Sequence, residues 1–146
     1  MSTRTTQGIL PYQQIKQLIA SGAIHANVPI EDRQIQPASL DLRLGTKAYR
    51  LLSSFLPERL EVGDRLHVMD AFLENLVMYE IDLRSGGILE KGHVYLVPLL
   101  ENLTLTKSLR ARANPKSTTG RLDIFTRVIT DHSASFDDIE AGYNGP

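Results

Sequence analysis

Short runs in which apolar and polar residues alternate, each closed by turn residues, restrict this chain to few architectures. Leu40, Leu42 and Leu44 alternate with Asp41 and Arg43 and stop at Gly45, the pattern of a half-buried strand. Residues 47–52 continue as its partner. Residues 76–83 alternate again, Leu76 and Met78 against Val77 and Tyr79, and Ser85-Gly86-Gly87 supplies the turn. Glu90-Lys91-Gly92 is a second turn, leading into an apolar strand at 93–100. Leu103, Leu105 and Leu109 mark a further extended run, and residues 122–129 mix β-branched and aromatic side chains as another strand. Residues 53–66, with Pro57, Gly63 and many charges, read as a loop. Only the front of the chain departs from this pattern. Leu10, Ile15, Leu18 and Ile19 fit one face of a helix over roughly residues 11–21, with Pro11 near its first turn and Gly22 as its stop. The expected fold is mostly β, a barrel or jelly roll with one N-terminal helix, rather than a βαβ sheet.

A chain of 146 residues is about one domain's worth and can bury a core. Its net charge of −1 and pI near 6.4 provide no whole-chain attraction to nucleic acid, so any anion binding must be local. Cysteine is absent, which removes disulfides, thiol nucleophiles and cysteine-zinc sites together. The opening MSTRTTQG is polar and expected to fray, and it contains no apolar segment of signal-peptide or membrane-spanning type. A soluble cytoplasmic protein is the default reading.

The densest chemistry lies in Ala113-Asn114-Pro115-Lys116-Ser117-Thr118-Thr119-Gly120-Arg121-Leu122. Ser117 suits a helix N-cap, and the hydroxyls of Ser117, Thr118 and Thr119 fall where a first turn leaves its N–H groups unpaired. Those groups, the helix dipole and the Lys116 ammonium together attract phosphate. Arg121 follows Ser117 by four residues, which on a helical turn places both on one side. A solvated, capped surface turn accounts for the same residues. The GxxxxGK[ST] spacing of a P-loop is absent. The four histidines, His25, His67, His93 and His132, are too scattered for a metal site. The tail, Asp137-Asp138-Ile139-Glu140-Ala141-Gly142-Tyr143-Asn144-Gly145-Pro146, puts carboxylates beside an aromatic ring in a tight turn, and a plain acidic turn is its competing reading.

Three motifs carry a family resemblance. Gln36-Pro37-Ala38-Ser39-Leu40-Asp41-Leu42-Arg43-Leu44-Gly45 resembles the early strand motif of the dCTP deaminases. Lys116-Ser117-Thr118-Thr119-Gly120-Arg121-Leu122 resembles their RSSxxRL motif, and Ile139-Glu140-Ala141-Gly142-Tyr143-Asn144-Gly145 is similar to the IDxGWxG or IDxxYxG segment shared with the dUTPases. The resemblance implies a distorted β-barrel of the dUTPase-like type that assembles as a homotrimer with sites between subunits. It implies hydrolysis of dCTP to dUTP and ammonia by attack of water on cytosine C4, without zinc and with Mg2+ accompanying the triphosphate.

On that resemblance Lys116, Ser117 and Thr118, with Thr119 and Gly120, hold the triphosphate. Arg121, with Ser117, serves the catalytic step by positioning the carboxylate and water. Ile129, Thr130 and Asp131 offer groups to the base edge, and Glu140 and Tyr143 lie at the deoxyribose. The sequence departs from the family at Lys116 for arginine, Thr118 for serine and Glu140 for aspartate, and residues 132–138 lengthen the hairpin before the tail motif. The family's water-activating glutamate falls beyond Pro146, which implies that residues 1–146 are a single dUTPase-like domain cut short at its C-terminal end and inactive alone. A dUTPase-type pyrophosphatase acting on dUTP and a non-catalytic nucleotide-binding module remain as alternatives.

Overall fold

The structure, a computed structural model, describes residues 8–56, 76–131 and 135–146. The fraying expected at 1–7, most of the loop at 53–66, His67 and His132 lie outside the described residues. The helix forms where the periodicity placed it, as α1 at Tyr12–Ala20. Pro11 precedes it with φ −76°, and its carbonyl accepts the Gln14 and Ile15 amides. Gly22 N–H bonds back to the Ile19 carbonyl and Ala23 N–H to Leu18, the paired bonds of a glycine-stopped helix end. Ile15 is the buried residue of α1 and joins Ile24 and Ile35 in the core, flanked by Leu10, Leu18, Ile19, Leu40 and Leu103. Burying such a side chain stabilises by roughly 1.5–3 kcal/mol.

Eight short strands follow among the described residues: β1 at Ile24–Ala26, β2 at Lys47–Leu51, β3 at Val77–Asp82, β4 at Val94–Leu96, β5 at Glu101–Thr104, β6 at Ala111–Arg112, β7 at Asp138–Ile139 and β8 at Asn144–Gly145. A one-turn helix, α2, lies at Ser117–Arg121. The strands make antiparallel sheets in the orders β1-β5-β8, β3-β2-β4 and β6-β7. The chain is mostly β with few helices, as expected, while its sheets stay separate and do not close into one barrel among the described residues.

Three expectations change. Residues 40–44 are not a strand: Leu40 bridges Ile35 and Leu44 bridges Leu99, with irregular backbone between. Leu40 packs against the core, but Leu42 at 43% and Leu44 at 60% exposure face outward, because Arg43 turns inward to a buried carboxylate. Residues 47–51 therefore pair with β3 and β4, not with 40–44. Residues 122–129 carry no strand. Leu122 and Phe125 are 71% and 84% exposed, and Arg127 and Val128 are tied instead to the Asp137 side chain.

Candidate functional site

Glu101 is the anchor. It opens β5 directly after the apolar residues 97–100, at 3% exposure, and its carboxylate needs charge and donors to be tolerated there. Arg43 Nε donates to it at 2.7 Å, the Arg43 amide at 2.8 Å and Gln34 Nε2 at 3.0 Å. The other Arg43 nitrogens bond the Pro29 and Val28 carbonyls. Gln34 Nε2 also donates to the Asp41 carbonyl, and the Asp41 amide bonds the Gln34 carbonyl. Gly45 completes the stretch: a Cβ there would lie 2.7 Å from the Pro98 carbonyl oxygen that its own amide bonds.

This frame presents Asp41. Its carboxylate accepts Gln36 Nε2 at 3.2 Å and the Lys116 ammonium at 2.5 Å. That contact joins the first motif to the second across 75 residues of sequence. Glu31, Arg33, Gln34, Asp41, Arg43 and Lys116, with Leu42, line a cavity of about 310 Å³ at the junction. Glu31 is paired with Arg33.

Lys116, not Ser117, is the N-cap of α2, so the expected Ser117 cap is corrected to the first helical position. Extended backbone at Lys116 leaves its carbonyl to accept the Thr119 amide at 3.0 Å and the Thr119 hydroxyl at 2.6 Å. Ser117, Thr118, Gly120 and Arg121 are exposed. Among the described residues Arg121 makes no ion pair, so its guanidinium is available to a ligand.

The other predicted residues gather elsewhere. Asp137 bonds Arg127 and the Val128 amide, Thr130 Oγ1 reaches the Asp138 carbonyl, and β7 pairs with β6. Thr130 and Asp131 are buried, and the Asp131 amide donates to the Tyr143 hydroxyl at 3.3 Å. Burial pushes the Tyr143 phenol up to about 12, against a smaller opposing effect of the Asp131 amide. Glu140 is exposed beside the Ala141-Gly142 turn. The chain therefore brings Asp131 together with Tyr143, and Lys116 together with Asp41.

Sequence reasoning missed Asp41, Arg43, Gln34 and Glu101 as the frame of the Lys116 turn. The available signal was Glu101 itself, a carboxylate directly after the apolar run Val97-Pro98-Leu99-Leu100. Among the described residues, no group of three or more His, Cys, Asp or Glu is placed to hold a metal ion. None of their helices is long and apolar enough to cross a membrane.

On this mostly-β chain the QPASLDLRLG stretch is tied to the KSTTGR turn through Asp41 and Lys116. The family model described as the 2'-deoxycytidine 5'-triphosphate deaminase (DCD) N-terminal domain matches residues 6–146, and the chain belongs to that family. A relative from Sulfurihydrogenibium sp. (strain YO3AOP1), described as a dCTP deaminase, dUMP-forming, is 33% identical over 117 residues, covering 80% of this chain and 60% of its own length. One of the same description from Dictyoglomus thermophilum is 33% identical over 129 residues, covering 85% and 61%. The crystal structure of 2'-deoxycytidine 5'-triphosphate deaminase from Agrobacterium tumefaciens superposes with a TM-score of 0.87 at 49% identity, over 95% of this chain and 39% of that one. The chain thus spans about three fifths of the length of these curated relatives.

Proposed function

We propose that the protein deaminates dCTP to dUTP and ammonia, with residues 6–146 supplying the nucleotide-binding part of the site. The observation that carries this reading is the exposed turn Lys116–Arg121 on a chain that superposes on a dCTP deaminase. Lys116, Ser117 and Thr118 bind the triphosphate: the ammonium is a point charge with three donors, and the hydroxyls add directed ones. Asp41 holds the ammonium in place through one donor and leaves two for phosphate oxygens. Asp41 and Glu31 are both paired with cations, which suits Mg2+ arriving as part of the substrate rather than in a protein carboxylate site.

The 129–131 backbone takes the base edge, and the Tyr143 ring the sugar. Arg121, permanently charged, orients and stabilises the water-activating carboxylate and cannot itself be the base. That carboxylate is a glutamate outside residues 1–146, a reading supported by the relatives' greater length. Water adds at C4, and the exocyclic nitrogen leaves as ammonia, so an amine is exchanged for a carbonyl.

The family resemblance favours a site completed across subunits, as in a closed homotrimer. A second reading, in which dUMP and pyrophosphate are released as well, is favoured by the description of the curated relatives as dUMP-forming. Chromatography of the nucleotide product from full-length protein and dCTP separates the two. A dUTP product supports the first reading, dUMP with pyrophosphate supports the second, and unchanged dCTP overturns both.

A further inference from the structure

Tyr143 has a ring at one end and a hydroxyl at the other, and the hydroxyl faces backbone. It accepts the Asp131 amide at 3.3 Å and donates to the Pro146 carbonyl at 2.7 Å, so one oxygen ties two segments. The segment on the first side holds two buried polar residues, Thr130 at 5% and Asp131 at 9% exposure. Gly145 stands beside the phenol. Its φ lies outside the left-handed region, so backbone conformation does not require glycine there. Space does: a Cβ on Gly145 would lie 2.8 Å from the Tyr143 hydroxyl oxygen, 3.1 Å from Cζ and 3.4 Å from an Asp131 carboxylate oxygen. Pairing of Gly145 with Leu103 fixes that backbone, which leaves the phenol as the part that has to yield.

We propose that the Tyr143 hydroxyl is a positioning group, a clamp that fixes the Asp131 amide and with it the Ile129-Thr130-Asp131 stretch, and that Gly145 is kept small to let it close. The catalytic consequence rests on the reading that this stretch meets the cytosine edge. The ring does what an aromatic at the sugar does. The hydroxyl adds a separate task, holding the base-edge backbone at a fixed distance from β8. Burial keeps the phenol protonated well above neutral pH, so it remains a donor and acceptor through the working range.

Two variants of the full-length protein test this. Tyr143→Phe keeps the ring and removes the hydroxyl, and Gly145→Ala keeps the hydroxyl and pushes it away. Each is expected to raise hydrogen exchange at the Asp131 amide by about tenfold, the loss of one modest hydrogen bond. Each should lower kcat for dCTP by roughly 10- to 100-fold, the cost of a misplaced reacting group, with a much smaller change in KM. The double variant should be no worse than the poorer single one, because both remove the same contact. Unchanged Asp131 exchange in Tyr143→Phe, or effects that multiply in the double variant, would overturn the clamp. If wild-type protein releases no ammonia from dCTP, the functional reading fails, while the exchange measurement still decides the clamp. If Tyr143→Phe does not fold, exchange in Gly145→Ala decides it alone: a protected Asp131 amide there refutes the proposal.

Discussion

Lys116 shows how one residue can be read correctly for type and incompletely for setting. The sequence marked it as a phosphate-seeking cation; the fold adds Asp41 as its fixed partner, with 60% and 29% side-chain exposure. A pair this open is worth about 0.2–1 kcal/mol, so it orients the lysine more than it stabilises the chain. Lys116→Ala should weaken dCTP binding, with a loss that shrinks at high salt, and leave the melting temperature nearly unchanged. Titration calorimetry at two salt concentrations, beside a thermal melt, reads both. Asp41 and Arg43 were legible as the polar side of an alternating run, but not as its inward side. Which face a residue takes depends on what it meets, and Glu101 lies 58 residues away from Arg43. Tyr143 provides a pH prediction. Its phenol is raised from near 10 to about 12, so the folded protein binds the proton more tightly. The stability this contributes is complete below pH 10 and is lost as pH rises from 10 towards 12. Phenolate absorbance of wild type against Tyr143→Phe should show that one tyrosine titrating late, and an ordinary titration would refute it.

At the scale of elements, the helix α1 and the frequent turns were legible because their signals are local: a 3.6-residue period, proline at the start, glycine at the stop. The 40–44 and 122–129 segments were not, since alternation and β-branching specify extended backbone without saying what it pairs with. Arg43 satisfying Glu101 costs residues 40–44 their regular ladder, and Asp137 claims the backbone of the second segment. The buried Glu101 network is what holds the early motif to β5. Glu101→Ala leaves the Arg43 guanidinium without its carboxylate and removes one Gln34 Nε2 bond, and breaking a buried pair of this kind costs about 3–5 kcal/mol. Urea unfolding of the full-length protein should show that loss as a lower midpoint. A loss under about 1 kcal/mol, the range of surface pairs, would mean the network is not structural.

At the scale of the molecule, family membership follows from three motifs in order, a match over residues 6–146 and a superposition at 49% identity. The sequence carried that much because the motifs are short and nearly contiguous. It could not carry the contacts of Lys116 with Asp41 and of Asp131 with Tyr143, which are properties of the fold. Leu42, Leu44, Leu122 and Phe125 are exposed, which suits an interface between copies, and the family resemblance leads us to expect a homotrimer. Light scattering on the full-length protein should show three copies, and a monomer at micromolar concentration would count against shared sites. The most direct test of the whole account is ammonia release from dCTP by full-length wild type and Arg121→Ala, with dCTP affinity and melting temperature measured on both. Wild type should release ammonia and leave a deoxyuridine nucleotide, and Arg121→Ala should lose on the order of 100- to 1000-fold in turnover while still folding and binding. Wild type that releases no ammonia, or an Arg121→Ala variant that turns over like wild type, would contradict it.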